Sequence, residues 1–339
     1  MLFNSEMLKL AREANGFSQK ELAKKIGMQQ AILSKYEQGI QMPQESTLED
    51  IAEKLEFPVE FFQQEGDHFA SGLVFQRART SLSAKKRNKI EANVRLRVLE
   101  ANRLIGKIIW EFPDFSGKAL SLEEKAKELR KLWGIPNGPI NDMVELLENK
   151  GIVIIKFDFN DDKLDGFFEK RDTGIICIAI NSEFPNDRLR FTLAHELGHI
   201  ILHDDSVPGK ICEKEANAFA AEFLLPKAEL VKEFDSFKEI NLETLAELKK
   251  KWSASMGSLL YRAFSLDKIS ESKYRRLWTE MSAAGYRKRE PDMGLKEEIP
   301  STINSILKKM SKKASNNSIA RKLKISETRL LEHYSVLNP

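Results

Sequence analysis

The segment HELGH, residues 195–199, constrains this 339-residue chain more than any other feature. On an α-helix, side chains four residues apart share a face, so His195 and His199 can bind one metal ion together. Zn²⁺ takes imidazole nitrogens at about 2.0–2.1 Å, and Glu196 directly follows the first histidine, where it can act as general base. The sequence therefore predicts a helix with a catalytic zinc site. The alternative is an amphipathic helix with two incidental histidines, but three of the five histidines fall within nine residues.

A catalytic zinc site also needs a third protein ligand and one open position. His203 lies four residues after His199, but a third ligand from the same unbroken helix would be strained. We expect His203 to support a ligand or to end the helix. The next predicted helix offers Glu213 and Glu215 as carboxylate ligands, while Cys212 beside them is more typical of plain packing.

Glu213 is the preferred third ligand. It shares a helical face with Ala216 and Ala220, whose small side chains allow a neighbouring helix to approach closely. Asn217, four residues after Glu213, can then orient a histidine ring through a hydrogen bond. Glu215 is the alternative ligand, but its face of the helix is predicted to meet solvent.

Three segments of the middle of the chain resemble the ImmA/IrrE family of zinc metallopeptidases over about residues 120–230. They are AKELRKLWGIPNGPINDMVELLENKGIVI, RFTLAHELGHIILH and EKEANAFAAEFLLP. The resemblance implies a minimal zincin-like domain and a peptidase whose metal ligands are His195, His199 and a glutamate of residues 213–215. It also implies Glu196 as the catalytic acid and base. EKEAN aligns as a unit with the family segment E-x-[EQ]-A-[ND], which favours Glu213.

The N-terminal residues 1–62 have the pattern of several short helices. Ser18 and Glu21 form a capping-box signature before a helix at 19–26, and a second helix is predicted at 29–38. Apolar residues at helical spacing predict one small core, formed by Leu22, Ala23, Ile26, Ile32, Tyr36, Leu48, Ile51, Ala52 and Leu55.

The segment SQKELAKKIGMQQAILSKYEQGIQMP resembles the Xre/phage-repressor helix-turn-helix family over about residues 5–62. The resemblance implies that the second helix enters the DNA major groove with its N-terminal residues leading. Gln29, Gln30, Ser34 and Lys35 would then face base edges or phosphates, and Gln19 would contact a phosphate. The alternative is a protein-interaction module of the same shape, because residues 1–66 are net acidic.

The small net charge of +3 conceals unlike segments. Residues 1–66 carry 7 basic and 11 acidic side chains (net −4), and residues 68–112 carry 10 and 3 (net +7). Residues 296–339 carry 9 and 4 (net +5). The basic stretch 68–112 is either a solvated helix face or an arm beside a DNA-binding module.

The fold class predicted from these patterns is α+β and mostly helical. Helices are predicted at 84–110, 121–133, 138–149, 186–203 and 211–223, with strands at 151–159, 165–169 and 174–181. We predict an all-α helix-turn-helix domain at 1–66, a basic linker with a long helix at 67–118, a zincin-like domain with a small sheet at 119–235 and a helical C-terminal region at 236–339. The last region contains two weaker helix-turn-helix-like segments, 242–263 and 316–334, for which simple three-helix packing is preferred.

Two functions compete at this point. The first is a DNA-binding regulator with narrowly specific zinc endopeptidase activity, which cleaves a repressor or partner regulator to switch transcription. The second is a transcription factor or antitoxin whose zincin-like domain senses a ligand or binds a partner without proteolysis. The family resemblance implies stress-response, mobile-element or toxin–antitoxin settings.

The sequence also predicts the partners and the compartment of the protein. A double-stranded DNA operator, a protein substrate and a second copy of the chain are the expected partners, since repressor-type modules read paired half-sites. No apolar run approaches the 18 or so residues of a membrane span, so no membrane association is expected. Two cysteines, Cys177 and Cys212, cannot form a disulfide framework, which favours a reducing cytoplasm.

Overall fold

The computed structural model describes residues 3–64, 83–106, 113, 115, 119–161, 164–170, 174–203, 209–287 and 289–338. The start of the predicted basic linker, residues 67–82, therefore lies outside the described residues, as do most of residues 107–118. The described part is mostly helical around one small sheet, so the predicted α+β class is confirmed. No helix in these ranges is both long enough and apolar enough to cross a membrane.

The N-terminal domain is a cluster of short helices around a hydrophobic core. The capping box predicted at Ser18 is present: its hydroxyl accepts a hydrogen bond from Glu21 N, and the Glu21 carboxylate accepts one from Ser18 N. Leu22, Leu33 and Leu48 are completely buried in that core. The elements are α1 (Ser5–Ala14), α2 (Gln19–Lys25), α3 (Gln30–Glu37), α4 (Glu45–Leu55) and a 3-10 helix (Val59–Phe61).

A long helix, α5 (Ala84–Ile105), follows the N-terminal domain and packs along α1. It ends at Ile105 and is capped by Gly106, which has a positive φ of 77°. Residues 107–110, where the sequence predicted the helix to continue, lie outside the described residues. Two further helices, α6 (Leu122–Leu132) and α7 (Met143–Asn149), precede the sheet. The predicted helix 138–149 begins only at Met143, because Asp142 caps it by accepting a hydrogen bond from Glu145 N.

The sheet has three strands in the order β1-β3-β2. Strand β3 lies within the strand predicted at 174–181 and is central and buried along its whole length. It runs parallel to β1 and antiparallel to β2. Strand β2 is therefore an edge strand. The strands are β1 (Val153–Phe157), β2 (Gly166–Lys170) and β3 (Ile176–Asn181).

The sheet separates two hydrophobic cores. Side chains alternate along β3, so Cys177 and Ala179 join the core shared with the N-terminal domain and α5, while Ile178 and Ile180 join the second core. That second core contains α8 (Asn186–Leu202), α9 (Gly209–Leu224), α10 (Lys227–Asp235), α11 (Leu242–Trp252), α12 (Met256–Ser265) and α13 (Glu271–Ala283).

The end of the chain returns to the N-terminal domain. Residues 289–301 form a segment without regular secondary structure, in which buried Glu298 accepts hydrogen bonds from Met143 N and Val144 N and pairs with Arg190 of α8. The last helices, α14 (Thr302–Ser311), α15 (Asn316–Leu323) and α16 (Glu327–His333), join the first core. The predicted C-terminal region 236–339 is thus divided between the two cores.

Candidate metal centre

Helix α8 carries the HELGH segment along its most buried turns. Leu193 and Leu197 are completely buried against the second core, which fixes how far the helix is rotated about its axis. If the helix were rotated by half a turn about its axis, these leucines would be exposed, at a cost of about 1.5–3 kcal/mol each. With the leucines inward, His195, Glu196 and His199 are each less than a tenth exposed.

His195 and His199 converge on one carboxylate of the neighbouring helix. Their Nε2 atoms lie 3.0 Å apart, and Glu213 of α9 approaches His195 Nε2 to 3.7 Å and His199 Nε2 to 3.5 Å. Tetrahedral ligands bonded to zinc at about 2.0–2.2 Å are about 3.3–3.6 Å from one another. The three separations, 3.0, 3.5 and 3.7 Å, bracket this range to within about 0.3 Å, and all the ligand atoms lie within 4.8 Å of each other. The donor groups also have the burial and the nitrogen and oxygen chemistry of a zinc site.

Hydrogen bonds on the far side of each ring direct the Nε2 lone pairs toward Glu213. His195 Nδ1 lies 3.0 Å from Asn217 Oδ1, an oxygen that can only accept, so this nitrogen carries the proton. His203 donates from Nε2 to Glu215 at 2.9 Å, which leaves its Nδ1 to accept from His199 Nδ1 at 3.0 Å. For neutral rings, this hydrogen-bond pattern leaves both metal-facing nitrogens with a lone pair, the form a metal requires.

Glu196 lies beside the two histidines but is not part of the three-donor cluster. Burial raises the pKa of its carboxyl to about 7, with His199 opposing and Glu213 reinforcing the increase. A hydrogen bond from the backbone of Phe168, on edge strand β2, partly offsets it. A carboxyl whose pKa is near neutral can both accept and return a proton, which is the property a general acid and base needs.

Comparisons with known proteins agree with this geometry. The sequence profile of the IrrE N-terminal-like domain, a peptidase M78 profile, matches residues 147–264, and a helix-turn-helix profile matches residues 8–62. The chain contains an Xre-type helix-turn-helix domain and an ImmA/IrrE-type peptidase domain.

A curated relative of the IrrE-type domain is the radiation response metalloprotease IrrE of Deinococcus radiodurans. It is 34% identical over 110 residues, which amount to 29% of this chain and 32% of that protein. The match thus spans about a third of the relative's length.

The IrrE-type domain brings together residues that sequence spacing could not connect. Glu215 was predicted to meet solvent, yet its carboxylate binds His203 and so positions His199 indirectly. At the start of α8, Arg188 forms two hydrogen bonds with Asp165, at 2.7 and 3.0 Å, just before strand β2. Both pairs join different elements, so no periodicity within a single helix could have revealed them.

The helix-turn-helix domain presents most of its predicted DNA contacts at the surface. Gln29, Gln30 and Lys35 are exposed at the start and along α3, and Ser34 is half-buried with its hydroxyl bound by Gln38. Gln19 donates a hydrogen bond to Glu37 at 2.9 Å. Its side-chain nitrogen is therefore engaged within the domain, and Gln19 lines the same cleft as Gln30 at the start of α3.

Proposed function

We propose that this chain is a DNA-binding regulator whose IrrE-type domain is a narrowly specific zinc endopeptidase that cleaves a repressor or another regulatory protein. The observation that carries the proposal is the convergence of His195, His199 and Glu213 next to Glu196. Structural zinc sites have four protein ligands, whereas three ligands leave one position for substrate chemistry. Among the described residues, three donors meet at this point.

The residues divide the chemistry between them. When bound, Zn²⁺ supplies the Lewis acid that polarises the scissile carbonyl and activates the attacking water. His195, His199 and Glu213 hold it, while Asn217 and His203 keep the two rings oriented. Glu196 removes the proton from the attacking water and delivers it to the nitrogen of the leaving amine.

Edge strand β2 is the surface on which a peptide substrate would align. Its inner edge pairs with β3, and it lies against α8 with the Phe168 ring 6.4 Å from the His199 ring, centroid to centroid. An extended peptide that adds to the outer edge gains main-chain hydrogen bonds and passes the metal centre. Such binding requires an unfolded segment in the target, which supports narrow specificity.

The regulatory part of the proposal concerns DNA and oligomeric state. The helix-turn-helix domain, residues 1–66, would bind a double-stranded operator as part of a homodimer, with α3 in the major groove. Residues 67–118 would link it to the catalytic domain at 119–235, and residues 236–339 would support both. Gln29 and Gln30, exposed at the start of α3, would read adenine edges.

The decisive test is cleavage of a defined partner. Repressors encoded next to this protein are co-expressed with the wild type and with Glu196→Gln, and their intact length is followed by immunoblot. We expect cleavage by the wild type alone, together with unchanged zinc content in the variant. If no partner is cut although the wild type holds zinc and binds DNA, the proposal of proteolysis is wrong, and the domain acts as a sensor or binding module.

A further inference from the structure

The first two turns of α5 lie against the end of α1 and the start of α2 in the helix-turn-helix domain. Lys85 Nζ contacts both carboxylate oxygens of Glu21, at 2.7 and 2.8 Å, at the start of α2. Asn88 Nδ2 reaches Glu13 Oε1 at 3.3 Å. Lys89 lies so close to Gly16 that a Cβ on this glycine would be 3.1 Å from Lys89 Cδ.

These α5 residues occupy one face of the helix. Lys85, Asn88 and Lys89 are three and four residues apart, which places them side by side toward the helix-turn-helix domain. Lys86 points elsewhere and pairs with Asp161, near the sheet, at 2.7 Å. The orientation of α5 is thus fixed on two sides, and its basic face toward the helix-turn-helix domain is part of the fold.

Lys85 and Asn88 of this face, together with the starts of α2 and α3, line a cleft of about 350 Å³. Its lining includes Gln19 and Gln30, two of the proposed DNA contacts, together with Lys20, Lys85 and Asn88. Lys20, Lys85 and Lys89 are exposed, and Lys85 neutralises Glu21. The acidic charge of residues 1–66 is therefore locally reversed where α5 approaches.

We propose that the first two turns of α5 belong to the DNA-binding surface and bind phosphates of the duplex beside Gln19. The inference rests on the proposed DNA-binding function. Phosphates fit better than base edges, because Lys85 lies at the start of α2 and Lys89 at Gly16, to the side of α3, and a lysine acts as a point charge on a flexible stem. Lys89 and Lys20 would supply the attraction, while Lys85 prevents Glu21 from repelling the strand.

The test is the salt dependence of DNA binding by the full chain. A 30-base-pair duplex of mixed sequence is titrated with wild type, Lys85→Gln/Lys89→Gln and the single variant Lys89→Gln between 50 and 200 mM KCl. Each phosphate contact adds about 0.9 to the slope of log K against log salt. We expect the double variant to lose about one to two from the slope and the single variant about one. If the slope of the double variant is smaller by about two, raising KCl from 50 to 200 mM should weaken wild-type binding about tenfold more than binding by the double variant.

The matched control is Lys127→Gln/Lys131→Gln, which removes two exposed lysines with the same spacing from α6 of the peptidase domain. It should bind DNA as the wild type does, and circular dichroism should show that all variants are folded. Equal slopes and affinities for wild type and the α5 double variant would overturn this inference but not DNA binding by the helix-turn-helix domain. A control variant that loses as much slope as the α5 double variant would have the same consequence. A wild type that binds no duplex at 50 mM salt would overturn DNA binding itself and this inference with it.

Discussion

At the scale of single residues, the metal centre distinguishes two glutamates that are two positions apart in the chain. Glu213 faces the two Nε2 atoms, and Glu215 faces His203. The first would bind the metal, and the second would hold the His203–His199 pair in the correct tautomer. Their replacement should therefore have different consequences.

We predict that Glu213→Ala abolishes stoichiometric zinc binding, because it removes one of three ligands. Glu215→Ala should retain zinc but bind it about 10–100-fold more weakly, the usual effect of removing a residue that orients a ligand. Competition with a chelator of known affinity measures both constants. Lys214→Ala, an exposed neighbour, is the control and should match the wild type. The opposite ranking of the two glutamates would exchange their proposed roles.

At the scale of elements, the close approach of α8 and α9 makes the site. Gly198 lies at their crossing, where a Cβ would stand 3.1 Å from Ala216 Cα and 3.2 Å from Ala216 O. Those backbone atoms cannot move without moving α9. Because Glu213 is on α9 and the histidines are on α8, the separation of these helices sets the distance between the ligands.

Gly198→Ala should therefore destabilise the fold by about 1–3 kcal/mol, the cost of overpacking, and also weaken zinc binding. Ala218→Gly, on the exposed side of α9, should cost about 1 kcal/mol through helix propensity alone and leave zinc affinity unchanged. Denaturant unfolding measures the free energy of unfolding, and chelator competition measures the affinity. Equal zinc affinity in wild type and Gly198→Ala would show that the helix separation does not control the site.

At the scale of the whole molecule, a buried polar cluster joins the end of the chain to α5. Tyr334 donates to Glu100 at 2.6 Å, His333 Nδ1 lies 3.0 Å from the same carboxylate, and Arg97 donates to the backbone oxygen of His333 at 2.9 Å. Burial alone would raise the pKa of Glu100, but His333, Arg97 and Tyr334 outweigh it and the pKa is lowered. The pKa of His333 is also lowered, but there the main cause is burial, which disfavours the charged ring.

Tyr334→Phe should destabilise this junction by about 1–3 kcal/mol, because the buried carboxylate of Glu100 loses a hydrogen-bond donor without gaining another. Denaturant unfolding, followed by tryptophan fluorescence and by circular dichroism, measures the loss. Tyr261→Phe changes an exposed tyrosine of α12 in the same way and should have almost no effect. Equal losses in the two variants would show that the Glu100 contact contributes nothing specific.

Acid should weaken the same junction. The folded-state pKa of His333 lies below its unfolded value of about 6.5, so the unfolded chain binds the proton first as pH falls. The lowered pKa of Glu100 has the same effect at lower pH, because the unfolded chain also binds this proton first and the free energy of unfolding falls further. We expect the free energy of unfolding to decrease from pH 7 to pH 5, and to decrease less in His333→Gln. The same pH dependence in both proteins would exclude His333 as its source.

Local patterns in the sequence were sufficient for the elements and for half of the candidate site. The four-residue spacing of His195 and His199, the capping box at Ser18 and the apolar run of β3 are short-range features that depend only on helix and strand geometry. They predicted the fold class, which the structure confirms. The two families came from the resemblance of longer segments, which the comparisons confirm, and the domain boundaries stay predictions. The choice of ligands stays a proposal.

Only the tertiary structure decided what meets across elements. The rotation of α9 against α8 placed Glu213 by the histidines and Glu215 on His203. The return of α14–α16 brought His333 to Glu100, 233 residues away. The first turns of α5 came to lie beside Gln19 for the same reason. Such contacts follow from how buried faces fit together over long sequence separations, and packing of this kind leaves no periodic signal in the chain.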